Sequence, residues 1–282
     1  MKLLEYKGKE LLSKYNIAIQ KSVLVESPDN ISLKLSDLTF PVVIKAQIMA
    51  GGRGKAGGIR FADNLKEAEE IIKSLLGFNI KGHIVKKLLI AQKVEGTSEN
   101  YLSIILDRYY KSPMIIFSPI GGVDIEETAR ENPDKIIKIP VNPLFGIKDY
   151  IIRYIIKKAC LPDVFFNGLQ NIVTNIYRLF LEYDCILCEI NPLLVTEDND
   201  FIAIDAKIDI DDSSLYRHPD ISEFRDQIEE DKLILEARKY DFLYIPIDSE
   251  GFVSVMSNGS GMLMSCIDFI TKSSLIVGSA LD

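Results

Sequence analysis

The stretch that decides the fold is Met49-Ala-Gly-Gly-Arg-Gly-Lys-Ala-Gly-Gly58, which sets five glycines around Arg53 and two alanines around Lys55. Gly52, Gly54 and Gly57 give G-x-G-x-x-G, the spacing of a dinucleotide-binding turn. That turn must open a helix whose N-terminus faces a pyrophosphate. Here the strand-like run Ile59-Arg60-Phe61 follows instead, and a helix signal appears only at Asn64, with Glu67 three residues later completing a capping box. The other phosphate-loop pattern, G-x-x-x-x-G-K-[ST], fails because Ala56 follows Lys55 and the leading glycine falls on Met49. Before the glycines, FPVVIKA (40–46) is a β-branched run opened by proline, hence a strand. The glycines therefore join two antiparallel strands. Two readings stand at this point. In one, the loop folds over phosphate oxygens, with backbone N–H groups close to the anion, Arg53 and Lys55 adding charge and Lys45 reaching in as a point charge. In the other, it is a flexible hairpin with solvated basic residues.

Working outward, residues 3–15 read as a helix on the spacing of Leu4, Leu11, Leu12 and Tyr15, inside a stretch that alternates charged and apolar residues. The helix that begins after Asn64 stops at Gly77. Runs at 87–94, 101–108 and 113–120 read as strands, the last broken by Gly121-Gly122. The region 163–183 carries Val164, Phe165, Leu169, Ile172, Val173, Ile176, Leu179 and Phe180 at helical spacing. A hairpin follows: CILCEINPLLV, a polar turn over 196–200, and FIAIDAKI. An acidic helical stretch (222–240) leads to the strand GFVSVMS, the turn Asn258-Gly259-Ser260-Gly261, a helix through MLMSCIDFI, and SSLIVGSALD.

The hairpin carries the second chemical signal. Glu189 and Asn191 are two apart and project from one face of a strand. Asp205 and Lys207 share a face of the returning strand, which places Asp205 near Asn191. These are oxygen donors of the kind Mg²⁺ takes, with water and phosphates completing its shell. The alternative is an exposed edge bearing polar groups. The flanking apolar residues argue against it, because an ionised carboxylate among them needs a partner.

The whole chain bounds these readings. It has 282 residues, 47% hydrophobic and 26% charged, a globular balance, with a net charge of −8 that disfavours nucleic acid as the main partner. No apolar run reaches membrane-spanning length, so no membrane association is expected. The first residues show no targeting character. Cys185 and Cys188 lie three apart on a strand, where side chains alternate faces, so one metal would not take both. The four cysteines are expected to be reduced, as in a cytosolic compartment. His83 and His218 are the two histidines, and neither lies in a nucleophile motif.

Taken in order, LLEYKGKELL, VVIKAQIMAGGRGKAGG, ENYLSIILDR, GGVDIEETARENP, CEINPLL, AIDAKI and SNGSGM closely resemble the β subunit of succinyl-CoA synthetase (succinate–CoA ligase, nucleoside-diphosphate-forming), almost end to end. The resemblance implies an α/β chain: an ATP-grasp nucleotide-binding domain over 1–236, followed at 237–282 by the start of a flavodoxin-like CoA-ligase domain that is cut short. The LIVGSAL segment is then expected to be exposed or poorly packed unless a partner covers it. The resemblance further implies that Lys45, Gly52, Arg53, Gly54 and Glu99 contact the nucleotide, ATP or GTP. It makes Asn191 and Asp205 the Mg²⁺ ligands, and Glu189 the glutamate that faces a phosphohistidine. Asn258 matches a position that contacts succinate. The relay histidine and the CoA site belong to an α-subunit partner, so this chain would be the nucleotide-charging half of a cytoplasmic enzyme (of the mitochondrial matrix in a eukaryote). Gln20 falls where guanine-preferring members carry glutamine, while Ala91 and Gln92 replace a common glutamate; ATP and GTP both stay open. So do a catalytically silent nucleotide-binding module and a related ligase for malate or citrate.

Overall fold

The structure is a computed structural model that describes residues 1–49, 52–54, 56–227 and 232–282. The chain divides into two compact units, Met1–His218 and Pro219–Asp282, a split that falls before the boundary expected at 236/237.

The first unit begins with α1 (Glu5–Lys14), β1 (Ser22–Val25), α2 (Ile31–Lys34), β2 (Val42–Ala46), β3 (Ile59–Ala62), α3 (Leu65–Leu75), the short pair β4 (Asn79–Ile80) and β5 (His83–Ile84), and β6 (Leu88–Gln92). Four of these strands form an antiparallel sheet in the order β1-β6-β2-β3. The glycine loop joins β2 to antiparallel β3, as its sequence context demands. On α3 the apolar positions Ala68, Ile72 and Leu75 repeat at three and four residues and pack with Val42, Ile44, Leu88 and Ile90 in one core. The Asn64 side chain caps this helix by accepting from the Glu67 N–H at 3.0 Å. The Glu67 carboxylate reaches back to the N–H of Asp63, one residue short of the reciprocal contact of a capping box.

The unit continues through β7 (Ser98–Asp107), β8 (Ser112–Ser118), α4 (Ile125–Glu131), β9 (Ile137–Pro140), α5 (Asp149–Ala159), α6 (Phe166–Glu182), β10 (Cys185–Val195), β11 (Phe201–Ala203) and β12 (Ala206–Ile210). Its larger sheet runs β11-β10-β7-β8-β9, with β12 also on β10. The α6 face is the one its periodicity draws, with Leu169, Ile172, Val173, Ile176, Leu179 and Phe180 buried. Val164 is the exception: it lies in a 3₁₀ turn before α6 and is exposed.

Strand β10 is interrupted twice, and both breaks matter. Between Cys185 and Leu187 its register on β12 shifts. Ile186 is the residue left out and is exposed, so Cys185 and Cys188 are both buried. The expectation that these thiols alternate faces is corrected by this bulge; all four cysteines are free, as expected. The second break is at Asn191-Pro192, where the register on β7 shifts between Ile190 and Leu193. Proline has no N–H for the ladder. On the other side of β10 the returning strand opens at the same level, β11 ending at Ala203 and β12 starting at Ala206. Asp205 therefore lies in the gap between two strands, not on one continuous returning strand.

The second unit holds α7 (Pro219–Gln227), α8 (Lys232–Arg238), β13 (Tyr244–Pro246), β14 (Val253–Met256), α9 (Ser260–Lys272) and β15 (Val277–Leu281). The stretch read as helical over 222–240 is helical on both sides of residues 228–231, which lie outside the described residues. β14 and β15 pair in parallel, while β13 joins β15 antiparallel. Val255, Leu263, Val277 and Ala280 form a small core. The expectation for LIVGSAL is corrected in part: β15 is the central strand and buries Val277 and Ala280, and only Leu275 and Ile276 are exposed.

Candidate active site

Residues ahead of α1 pair with β12, the Leu3 N–H donating to the Ile208 carbonyl at 2.9 Å. This delivers Glu5, in the first helical turn, beneath the end of β2. Gly8 keeps α1 close, since a Cβ there would stand 3.3 Å from that of Ala206. The Tyr6 N–H donates to Gln47 Oε1 at 3.1 Å, tying the helix to the residue after β2.

Glu5 is almost wholly buried, and three cations converge on it. Lys45 Nζ donates to Oε1 at 2.7 Å, Lys9 Nζ lies 3.1 Å from the same oxygen, and the Arg53 guanidinium donates to Oε2. Burial pushes the Glu5 carboxyl up, but the charges of Lys45, Lys9 and Arg53 outweigh it and hold the pKa at about 2. The ammonium of Lys9 moves the other way, lowered to about 8 by burial and then by the charge of Lys45. Lys9 also donates to Gln20 Oε1 at 3.0 Å, while Gln20 Nε2 donates to the Gln92 carbonyl. Both polar ends of the Gln20 amide are thus engaged, in the orientation that a donor-only lysine and an acceptor-only carbonyl require.

Arg53 braces its own loop by donating to the Ala46 carbonyl at 2.9 Å, and it lies 3.5 Å from Asp205. The loop closes through Gly58 N–H to the Arg53 carbonyl at 2.8 Å. At Gly52 the backbone has φ +66°, a conformation that favours glycine. Lys55 lies outside the described residues.

A cavity of about 360 Å³ opens beside this cluster. Glu5, Gly52, Arg53, Glu189, Asn191 and Asp205 are on its wall. Five residues read from the sequence thus meet at one place. Lys45 is in the cluster but not on the wall: it is buried behind Glu5, and its second partner is the Ile204 carbonyl at 3.1 Å. Gly54 and Glu99 are not on the wall either. Glu99 is exposed at the start of β7, against Gly122. Asn258 belongs to the second unit, at the turn between β14 and α9, and is exposed.

Glu189, Asn191 and Asp205 each have a supporting contact. Tyr101, buried on β7, donates its phenol to Glu189 Oε2 at 2.9 Å. Asn191 Oδ1 accepts from the Gly122 N–H, and Nδ2 donates to the Val123 carbonyl, both at 2.8 Å. The Gly121-Gly122 turn is thereby pinned beside Glu99. Asp205 Oδ1 accepts from the Ala206 N–H at 2.8 Å. Burial, then the charge of Glu5, raises the Asp205 pKa. Asn191 Oδ1 keeps a second lone pair. Among the described residues no three His, Cys, Asp or Glu side chains converge as a metal site. The donor set therefore fits Mg²⁺, which takes one or two protein oxygens and fills its shell with water and phosphate, better than a cation needing a protein cage.

Both histidines are away from the cavity wall. His218 stacks on Tyr183 with ring centroids 5.2 Å apart, its Nε2 2.8 Å from Asp184, and His83 is exposed on β5. Glu5 is the residue that the sequence reading missed. It sits in an alternating charged stretch where an acidic side chain reads as solvated, and only its place at the start of a helix leading toward β2 hinted otherwise.

An antiparallel sheet with a glycine loop, a second sheet bearing carboxylates, and a cavity lined by that loop and those carboxylates define an ATP-grasp protein. A family model described as "ATP-grasp domain" matches residues 2–195. Over 290 residues the chain is 42% identical to the succinate–CoA ligase [ADP-forming] subunit beta of Desulfatibacillum aliphaticivorans, covering 100% of this chain and 75% of that one. It is 39% identical to the succinate–CoA ligase [GDP-forming] subunit beta of Thermus thermophilus, covering 96% of this chain and 71% of that one. The chain belongs to the succinate–CoA ligase β-subunit family, whose members are acid–thiol ligases. Among solved structures, the ATP citrate lyase of Methanothrix soehngenii, determined with citrate and coenzyme A, shares the fold with a TM-score of 0.70 at 20% identity, covering 99% of this chain and 72% of that one. No described helix is long and apolar enough to cross a membrane.

Proposed function

We propose that this chain is the nucleotide-charging half of a succinate–CoA ligase, exchanging phosphate between ATP or GTP and a histidine carried by an α-subunit partner. The observation that carries this reading is the convergence of Gly52, Arg53, Glu189, Asn191 and Asp205 on one cavity, with Lys45 immediately behind. Backbone N–H groups of the Gly52–Gly54 turn and the Arg53 guanidinium hold the polyphosphate, with Lys45 adding charge. Glu99, beside the Gly122 turn, contacts the nucleotide. Asn191 and Asp205 hold Mg²⁺, which when bound neutralises charge on the phosphate oxygens. Glu189, its carboxylate fixed by Tyr101, accepts a hydrogen bond from one nitrogen of the partner's histidine. The other nitrogen is then free to attack the γ-phosphorus. The bond from that phosphorus to the bridging oxygen breaks, an N–P bond forms, and the nucleoside diphosphate leaves. Asn258 contacts succinate, and the partner carries the thioester chemistry.

The test mixes the chain, its α partner and Mg²⁺ with γ-labelled ATP and GTP in turn. Acid-labile label on the α partner is the expected result, and the faster donor assigns the base. Succinate, malate and citrate, compared as discharging acids in the presence of CoA, assign the substrate. A folded chain that associates with α but transfers no label from either nucleotide would overturn the reading.

A further inference from the structure

The family resemblance implies that Lys45 contacts phosphate, yet its ammonium is buried and already engaged. Glu5 Oε1 and the Ile204 carbonyl take it at 2.7 and 3.1 Å. Arg53 reaches the cavity wall with its guanidinium on the other oxygen of the same carboxylate. One buried side chain, from a helix outside both hairpins, thus holds the two cations on which phosphate binding depends. We infer that Glu5 is a positioning residue of the nucleotide site, an internal counter-anion that aligns Lys45 and Arg53 and with which the polyphosphate competes for them.

Three features support this. Glu5 itself lies on the cavity wall, so an incoming phosphate meets its carboxylate beside Arg53. The carboxylate cannot drift, because α1 is locked by the Leu3 strand contact, the Gly8–Ala206 approach and the Tyr6–Gln47 hydrogen bond. Lys9, Lys45 and Arg53 face Glu5 and Asp205, leaving this cluster with more positive than negative groups. It is balanced enough to stay folded and still attracts an anion.

The inference rests on the proposed nucleotide reading, and its test separates the two. The full chain is prepared as wild type, Glu5→Gln and Glu5→Asp, with the unfolding midpoint of each as a folding control. Titration with Mg²⁺-free ATP gives binding to the chain alone. Single-turnover transfer to the α partner at saturating Mg²⁺-nucleotide gives the rate. Glu5→Gln frees both cations and is expected to bind Mg²⁺-free ATP at least threefold tighter, while transferring phosphate at least tenfold slower because the cations are no longer aligned. Glu5→Asp keeps the charge and retracts it by one methylene. It is expected to lose at least tenfold in rate with binding within threefold of wild type, and it carries the test if Glu5→Gln does not fold. Folded variants that transfer at the wild-type rate, or that bind ATP more weakly in step with their loss of rate, overturn the inference. A wild-type chain that binds no nucleotide defeats the nucleotide reading itself.

Discussion

Tyr101 and Glu189 sit on neighbouring strands, and the Tyr101 phenol donates to Glu189 Oε2 at 2.9 Å. Burial, then the charge of Glu189, pushes the phenol pKa well above its ordinary value, so it stays a donor across the working pH range. Removing it in Tyr101→Phe leaves Glu189 partly solvated, so the stability cost is about 1 kcal/mol, under the roughly 1.5–3 kcal/mol of hydrogen bonds to charged groups that stay dry. The larger expected effect is a roughly tenfold slower phosphate transfer with nucleotide affinity unchanged, read by single-turnover labelling, because only the orientation of the carboxylate is lost.

Asp205 and Glu5 are like charges that share Arg53. Asp205→Asn relieves that repulsion and keeps an oxygen for the Ala206 N–H. The unfolding midpoint without nucleotide is therefore expected to hold or rise. Mg²⁺ should then strengthen nucleotide binding at least tenfold less than in wild type, as calorimetry with and without the metal will show.

Stability in acid should report Glu5. Its folded pKa of about 2 lies below the ordinary 4.5, so its contribution is complete above pH 4.5 and is lost as pH falls from there towards 2. The size is on the order of 3 kcal/mol for a shift of this extent. Urea unfolding from pH 6 to 3 should fall more steeply for wild type than for Glu5→Gln. Lys9 acts at the other end. In the folded chain it gives up its proton near pH 8, while the unfolded chain keeps it to about 10.5, so stability rises with pH through that window.

Gly121 lies against the backbone of Asn100, where a Cβ would meet the Asn100 carbonyl group and nitrogen. A rigid backbone cannot step aside as a flexible side chain does. Gly121→Ala is expected to cost about 2 kcal/mol. By shifting the turn it should also free the Gly122 N–H from Asn191, seen as a moved Asn191 side-chain amide resonance.

Much of this molecule was legible from local rules. Asn64 caps its helix because a short polar side chain reaches a free N–H two or three residues on, a geometry that spacing alone encodes. The α6 face follows from a 3.6-residue repeat. α5 carried the same signal, with Ile151, Ile152, Ile155 and Ile156 buried at helical spacing, and the sequence reading passed over it. The alternation rule failed at Cys185 and Cys188, because a bulge at Ile186 is set by how β12 pairs with β10 and not by the strand's own residues.

The site divides along the same line. The glycine spacing, the β-branched runs on either side of it and the E-x-N pair of the hairpin are local features, and by themselves they determined a loop between two antiparallel strands and a face of oxygen donors. What occupies Lys45 was decided only by tertiary structure. Glu5 lies 40 residues before Lys45 and 48 before Arg53, in a stretch that reads as a solvated amphipathic helix. A charge taken out of water must find its opposite, and sequence shows that this need exists. Which partner meets it depends on where the chain returns in space.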